Sequence, residues 1–433
     1  MADFIEDLRF RGLIHQMTDP DLGARLNEGR MTGYTGFDPT ADSLHVGHLL
    51  QVCNLRRLQD AGHRPIAVAG GGTGFIGDPG GKSEERSLLT VEQLEANLAG
   101  IRAQLARFID VGTDGAGSKA LMVNNADWLQ SMTLFSFLRD VGKHFTVNQM
   151  VAKDSVKSRL ARADQGISYT EFSYMLLQAY DFLRLFDDHG CTLQIGGSDQ
   201  WGNITMGVDL VRKVERAEVF GLTTPLVTKA DGTKFGKSES GADRVWLDPT
   251  MTSPYRLYQF LFNSEDAIVG DYLRYFTFLV REEIEGLDLE TEAHPERRSA
   301  QRALARAVCG LVHGTEEVER AERAAAALFG EEIAELDEAT LLEVVDDAPS
   351  TKVPRTALLG GADGGLPLVD AVVMSGLANS KSRARQSIDG GGVYVNNRRV
   401  DDPTATLGVA DLLHDRYVVL RLGKRNYHLL VAG

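Results

Sequence analysis

Between residues 34 and 80 the chain alternates in a way that few folds accept: apolar stretch, turn, helical stretch, second apolar run, glycine-rich turn. Residues 39–43 carry turn chemistry, 48–61 have helical periodicity ending at Gly62, and Pro65-Ile66-Ala67-Val68-Ala69 is a short apolar run before a glycine cluster. Strands and helices in alternation imply a parallel sheet with helices on both faces. The pattern returns at 192–195, ahead of Gly196-Gly197-Ser198-Asp199. In doubly wound sheets ligands sit beyond the carboxyl ends of the strands, so these loops are expected to border a site.

At 433 residues the chain is too long for one ordinary domain. The α/β pattern predicts a Rossmann-like, doubly wound parallel-sheet domain over 1–245. From 246 to 348 the sequence is mostly helical in character, ending in an acidic stretch around 331–347. Pro349, Pro354 and Gly360-Gly361-Ala362-Asp363-Gly364-Gly365 mark 349–365 as the best linker, and 366–433 forms a third, small α+β unit. No internal repeat is present.

No apolar run approaches the roughly 20 residues of a membrane helix, and the acidic, amphipathic stretch 1–11 reads neither as a secretory signal nor as an Arg-rich transit peptide. Cys53, Cys191 and Cys309 are scattered, which fits a reducing cytosol and argues against disulfides or a cysteine-based zinc site. His45 and His48 are spaced to share a metal on a helix, but the sequence supplies no further ligands for one.

The net charge of −15 is unevenly distributed. From Thr351 onward 11 Lys/Arg stand against 7 Asp/Glu, net +4, while residues 1–350 carry 35 against 54, net −19. The tail is therefore the part suited to a polyanion.

Two motifs carry the chemistry. His45-Val46-Gly47-His48 follows a turn and opens a helix, where free backbone N–H groups and partial positive charge suit phosphates. There Gly47 permits a ring to pack on the backbone, and His45 with Thr40 can donate to phosphate oxygens. Lys234-Phe235-Gly236-Lys237-Ser238 lies on a glycine-flanked stretch, so Lys234 and Lys237 can converge on one triphosphate and stabilise charge that grows toward the transition state.

Residues 169–186 read as an amphipathic helix in which Tyr174, Gln178 and Asp181 fall at i, i+4 and i+7 and share one face. A polar stripe beside Phe172, Met175 and Phe182 predicts a pocket for a small amphiphilic ligand, because buried polar groups demand partners.

Two glycine patterns mislead. Gly72-Thr73-Gly74-Phe75-Ile76-Gly77 matches a dinucleotide fingerprint, but Asp78-Pro79-Gly80-Gly81 follows where that fingerprint needs a helix. Gly81-Lys82-Ser83 lacks the earlier glycine of a phosphate-binding loop, since that position is Ile76. The glycines are read as a tight loop shaping a pocket floor.

The HVGH and KFGKS motifs resemble the two signatures of class I aminoacyl-tRNA synthetases. Adding Tyr34-Thr35-Gly36-Phe37-Asp38-Pro39-Thr40, Tyr174-Met175-Leu176-Leu177-Gln178-Ala179-Tyr180-Asp181 and residues 196–204, the chain is similar over essentially its whole length to the bacterial-type tyrosyl-tRNA synthetases. The resemblance implies that Tyr34 and Asp181 hold the tyrosine phenol, and that Tyr174, Asp78 and Gln178 hold its ammonium group. Asp38, Gly47, Asp199, Gln200 and Lys237 then surround ATP and the adenylate. Thr40, His45, His48, Lys82, Arg86, Lys234 and Lys237 are the catalytic set. Thr35 and Gln51 stand where some relatives have Cys and Thr.

The activity so implied joins L-tyrosine to ATP as tyrosyl-adenylate, then to tRNA(Tyr). ATP is a substrate with Mg²⁺ on its phosphates, and neither a tightly bound cofactor nor zinc is expected. The rivals are a tryptophanyl enzyme, a nicotinamide-dependent oxidoreductase resting on the glycine decoy, and a non-catalytic RNA-binding relative.

The tail reads as helix 368–374, helix 380–388 and a hairpin turning at Asn396-Asn397, with Lys381, Arg383, Arg385, Arg398 and Arg399 as a cationic face for RNA. It is similar to a small RNA-binding module first known from a ribosomal protein. A homodimer is the family expectation and the cytoplasm the expected compartment, and the basic tail predicts that deleting 360–433 abolishes tRNA charging yet spares pyrophosphate exchange.

Overall fold

The computed structural model describes residues 3–78, 90–112, 117–160, 166–229, 232–233, 244–327, 331–346, 348–359, 365–423 and 426–433. Two compact units emerge, Met1–Thr252 with Phe260–Val312, and Ser253–Gln259 with His313–Gly433.

The first unit is built on a six-stranded sheet of β1 (Gln16–Met17), β2 (Thr32–Phe37), β3 (Arg64–Ala69), β4 (Leu121–Asn124), β5 (Leu193–Gly197) and β6 (Phe220–Thr224). Their order is β1-β6-β5-β2-β3-β4, parallel throughout except for β1. β5 and β6 are buried along their whole length, as strands covered on both faces must be. On one face Tyr34, Ile66 and Val68 meet Met175, Ala179 and Phe182 of helix Tyr169–His189 and Met206 of helix Trp201–Val214. On the other, helix Val46–Asp60 lies over Gly33, where a Cβ would come within 2.9 Å of Leu58.

Helix Tyr169–His189 shows how locally this frame is specified. Ser168 and Glu171 form a capping box, and Gly190, left-handed at φ 61°, ends the helix. Glu171 also takes a buried 2.9 Å ion pair from Arg159. Each fully buried side chain such as Phe182 contributes about 1.5–3 kcal/mol of hydrophobic stabilisation.

The chain runs from β2 outward to β3 and β4, then returns to place β5 on the opposite side of β2. A crevice therefore opens between β2 and β5 at their carboxyl ends, where the order reverses. Only Gly33↔Leu193 and Tyr34↔Gln194 pair across that boundary, whereas β2 and β3 pair from Thr32↔Arg64 to Phe37↔Ala69.

The 253–327 stretch is helical as its sequence predicts, in Pro254–Phe262, Asp266–Phe276, Arg281–Ala293, Ser299–His313 and Thr315–Ala327. The second unit adds β7 (Ser350–Val353), β8 (Leu366–Pro367), β9 (Val393–Val395), β10 (Arg398–Val400), β11 (Thr406–Leu407), β12 (Tyr417–Leu422) and β13 (Asn426–Ala432). Five of these form a sheet in the order β10-β9-β12-β13-β7, antiparallel except that β7 runs parallel to β13. β9 turns into β10 through Asn396 and Asn397, both at positive φ, the tight hairpin their residue types favour.

Candidate active site

A cleft of about 330 Å³ opens at the carboxyl ends of β2 and β5. Tyr34, Asp38, Thr40, His45, Gly47, His48, Asp78, Tyr174, Gln178, Asp181, Asp199 and Gln200 all line it. Lys82, Arg86, Lys234 and Lys237 lie outside the described residues.

At its deep end Tyr34 is 2 % exposed and its hydroxyl has no hydrogen-bond partner among the described residues. Burial, then the nearby Asp181 carboxyl, holds that hydroxyl well above the usual phenol range. Asp181, 4 % exposed, accepts from Trp128 Nε1 at 2.7 Å and from Asn125 Nδ2 at 3.0 Å. Burial pushes its carboxyl up to about 7 against those two bonds. Asn125 and Trp128 follow β4, and no motif in the sequence marks them. A neutral donor pair on a buried carboxylate holds its orientation without quenching its charge.

Asp38, just past β2, accepts from Thr73 Oγ1 at 2.8 Å and from Tyr174 Oη at 2.9 Å. Gly70 makes this possible, since a Cβ there would sit 2.2 Å from Asp38 Oδ1. The glycine-rich run thus walls the cleft: Thr73 opens a short 3-10 turn, Thr73–Phe75, and binds a carboxylate. Gln200 donates to Asp78 at 2.7 Å, and Asn203 donates to Gln178 at 3.0 Å and to Gln200 at 3.2 Å. These amides chain the carboxylate and the two glutamines into one polar wall.

The HVGH segment forms the other wall. His45 is the N-cap of helix Val46–Asp60, and its Nδ1 accepts the Gly47 N–H at 3.0 Å. His48 Nδ1 accepts the His45 N–H at 3.3 Å, and the rings stack at 3.9 Å. A neutral imidazole that accepts at Nδ1 carries its proton on Nε2, so each ring keeps a donor. Capping and donation are done by the same side chains.

Thr35 and Gln51 have structural bonds: Thr35 Oγ1 donates to the Ile195 carbonyl at 3.0 Å, bridging β2 to β5, and Gln51 Nε2 donates to Thr224 at 2.9 Å. Arg244 also lines the cleft and was not foreseen. Among the described residues no group of three or more His, Cys, Asp or Glu side chains is placed to hold a metal.

The sequence model for class I tRNA synthetases (W and Y) matches residues 26–330, and that for the tyrosine–tRNA ligase SYY-like C-terminal domain matches 343–430. The chain is 53 % identical over 430 residues to the tyrosine–tRNA ligase of Roseiflexus castenholzii, covering 99 % of both chains. The chain belongs to the tyrosine–tRNA ligase family. The member from Geobacillus stearothermophilus is 52 % identical over 430 residues, again covering 99 % of each. Among solved structures of the family, a C-terminally truncated Aspergillus nidulans mitochondrial tyrosyl-tRNA synthetase superposes with a TM-score of 0.68 at 35 % identity, covering 76 % of this chain and 95 % of that one.

In the second unit Lys381, Arg383, Arg385, Arg398 and Arg399 are all exposed, the first three on helix Lys381–Asp389 and the last two on edge strand β10. Lys381 pairs with Asp370 at 2.6 Å, and Arg383 donates to Gln386 at 3.0 Å. No helix among the described residues is long and apolar enough to cross a membrane.

Proposed function

We propose that the cleft binds L-tyrosine and ATP together, forms tyrosyl-adenylate with release of pyrophosphate, and passes tyrosine to the 3′ terminal adenosine of tRNA(Tyr) with release of AMP. The observation that carries this reading is the buried, unpartnered Tyr34 hydroxyl beside Asp181. A phenol fits both groups: it accepts from Tyr34 and donates to the Asp181 carboxylate. Phenylalanine leaves both unmatched, and tyrosyl-tRNA synthetases are themselves the standard example of such rejection, at about 10⁵-fold without editing.

The substrate ammonium group lies with Tyr174, Asp78 and Gln178, held by the hydrogen-bonded wall that Gln200 and Asn203 complete. ATP lies toward Asp38, Gly47, Asp199 and Gln200. The tyrosine carboxylate is already ionised, so its in-line attack on the α-phosphorus needs no general base. Positioning and charge stabilisation supply the rate: His45 and His48 through Nε2–H, Thr40 through its hydroxyl, and Lys82, Arg86, Lys234 and Lys237 through charge. Mg²⁺ arrives on the ATP phosphates, and the site needs no zinc.

Tyrosine-dependent exchange of pyrophosphate into ATP, run beside tryptophan and phenylalanine, tests the reading. Exchange with tyrosine alone is expected; exchange driven by tryptophan, or none at all, overturns it.

The exposed cations of the second unit bind the tRNA backbone, so affinity falls steeply with salt. The chain acts in the cytoplasm as a homodimer. Supporting the dimer, Leu134, Phe135 and Leu138, close together in the chain, are exposed, Phe135 to 85 %. A monomer mass by light scattering would refute it.

A further inference from the structure

The segment around Arg244 runs antiparallel to the approach of the HVGH helix. Val46 N–H donates to the Val245 carbonyl at 2.9 Å, Leu247 N–H donates to the Leu44 carbonyl at 2.8 Å, and His45 pairs with Trp246 across the bridge. Arg244 and Gly47, the one position of the motif without a side chain, both line the cleft beside that bridge. Alternate residues of an extended chain share a side, so Arg244 and Trp246 project together. The guanidinium carbon lies 5.6 Å from the centre of the Trp246 ring, which meets the His45 ring edge-on at 5.8 Å. Trp246 thus fixes a cation and a histidine side by side at the start of the helix.

Arg244 lines the cleft, its Nε is buried without an acceptor, and among the described residues its guanidinium has no carboxylate partner. A guanidinium does not shed its charge, so donors left unfilled in the cleft call for an anion. A purely structural arginine would instead be expected to close on a carbonyl or carboxylate. Arg11 and Arg57 of this same chain do so through their terminal nitrogens, on the carbonyls of Arg274 and Thr277, although the Arg57 Nε is likewise buried without an acceptor.

We propose that Arg244 is a phosphate-binding residue of the ATP site, a permanent cation held on Trp246 that hydrogen-bonds the β- and γ-phosphates beside His45 and Gly47. This rests on the reading that the cleft takes ATP. Because the side chain is fixed before the reaction, it grips ground state and transition state alike and acts mainly on ATP affinity.

The test is pyrophosphate exchange with saturating tyrosine, together with tyrosine binding at equilibrium without ATP, in the parent, Arg244→Met and Arg244→Lys. Arg244→Met is expected to raise the KM for ATP about tenfold with kcat changed far less and tyrosine affinity intact, and Arg244→Lys to recover part of the loss. An active parent with an unchanged ATP KM in Arg244→Met overturns the proposal. So does a loss shared equally by both variants and by tyrosine binding, which would mark a packing role on Trp246. A parent inactive in exchange sinks the ATP reading itself, and this proposal with it.

Discussion

Asp181 is buried against two neutral donors, Asn125 and Trp128, with no ion-pair partner among the described residues. Its carboxyl, pushed up to about 7, therefore titrates near physiological pH. Since the ionised form accepts the phenol, tyrosine affinity is expected to weaken about tenfold between pH 8 and pH 6, as the competent fraction shrinks. Stability of the free protein moves the other way. A carboxyl whose folded value exceeds its unfolded one favours folding most at low pH, and that contribution is lost as pH rises through about 7. Isothermal titration and denaturation across this range check both signs, and Asp181→Asn should flatten both. Tyr34→Phe removes the other half of the phenol's recognition and should lower the preference for tyrosine over phenylalanine about tenfold, read as the ratio of kcat/KM values. Unaltered discrimination would mean that the phenol lies elsewhere. At this scale Tyr34, Tyr174, Gln178 and Asp181 were legible because helical spacing and family motifs mark them. Asn125, Trp128 and Thr73 were not, because what they do is hold other side chains, and nothing in their own surroundings in the chain announces it.

The helix that begins at Val46 has its N-cap supplied by a histidine, an uncommon choice where Ser, Thr, Asp or Asn would cap better. A histidine at this position makes sense if the imidazole Nε2–H has chemical work to do. His45→Asn separates the two roles, keeping a side-chain acceptor for the cap and discarding the ring donor. Unfolding free energy should stay within about 0.5 kcal/mol of the parent, while the rate of adenylate formation falls on the order of 10²-fold. Denaturant titration and a rapid-quench burst measure these, and equal losses in both would reduce His45 to a cap. Elements with local signals were readable in advance: helix Tyr169–His189 from the periodicity of 169–186, and the β9–β10 hairpin from Asn396-Asn397. β1 is only two residues long, and β7 lies within the proline- and glycine-marked 349–365 stretch. β7 finds its parallel partner in β13, so its pairing depends on residues far along the chain and leaves little local trace.

Across the whole molecule, the alternation of strand and helix foretold the doubly wound sheet, and the cations of the basic tail, Lys381, Arg383, Arg385, Arg398 and Arg399, are exposed. The internal seams of the second unit are another matter. Ile333, Leu341 and Val345 share one core with Leu413, Tyr417, Val419 and Leu429. A chain cut at 359 would strip half of that core and leave β7 without β13, so the deletion of 360–433 is a poor test of the division of labour. Removing 331–433 is cleaner. The shortened chain is expected to keep tyrosine-dependent exchange within about threefold of the parent and to lose tRNA charging by more than about 10²-fold, since phosphate contacts dominate such affinities. Loss of exchange as well would show that the cleft depends on the second unit.

The sparse pairing between β2 and β5, two residue pairs and the Thr35 hydroxyl, is the seam that joins segments distant in the chain, and the cleft spans it. A ligand seated there behaves as a staple. It binds only when both halves are docked, and by mass action it holds them docked. Substrate supply then sets the abundance of the folded enzyme as well as its turnover: a cell short of tyrosine would lose the weaker variants of this protein to unfolding first, and one rich in tyrosine would conceal them.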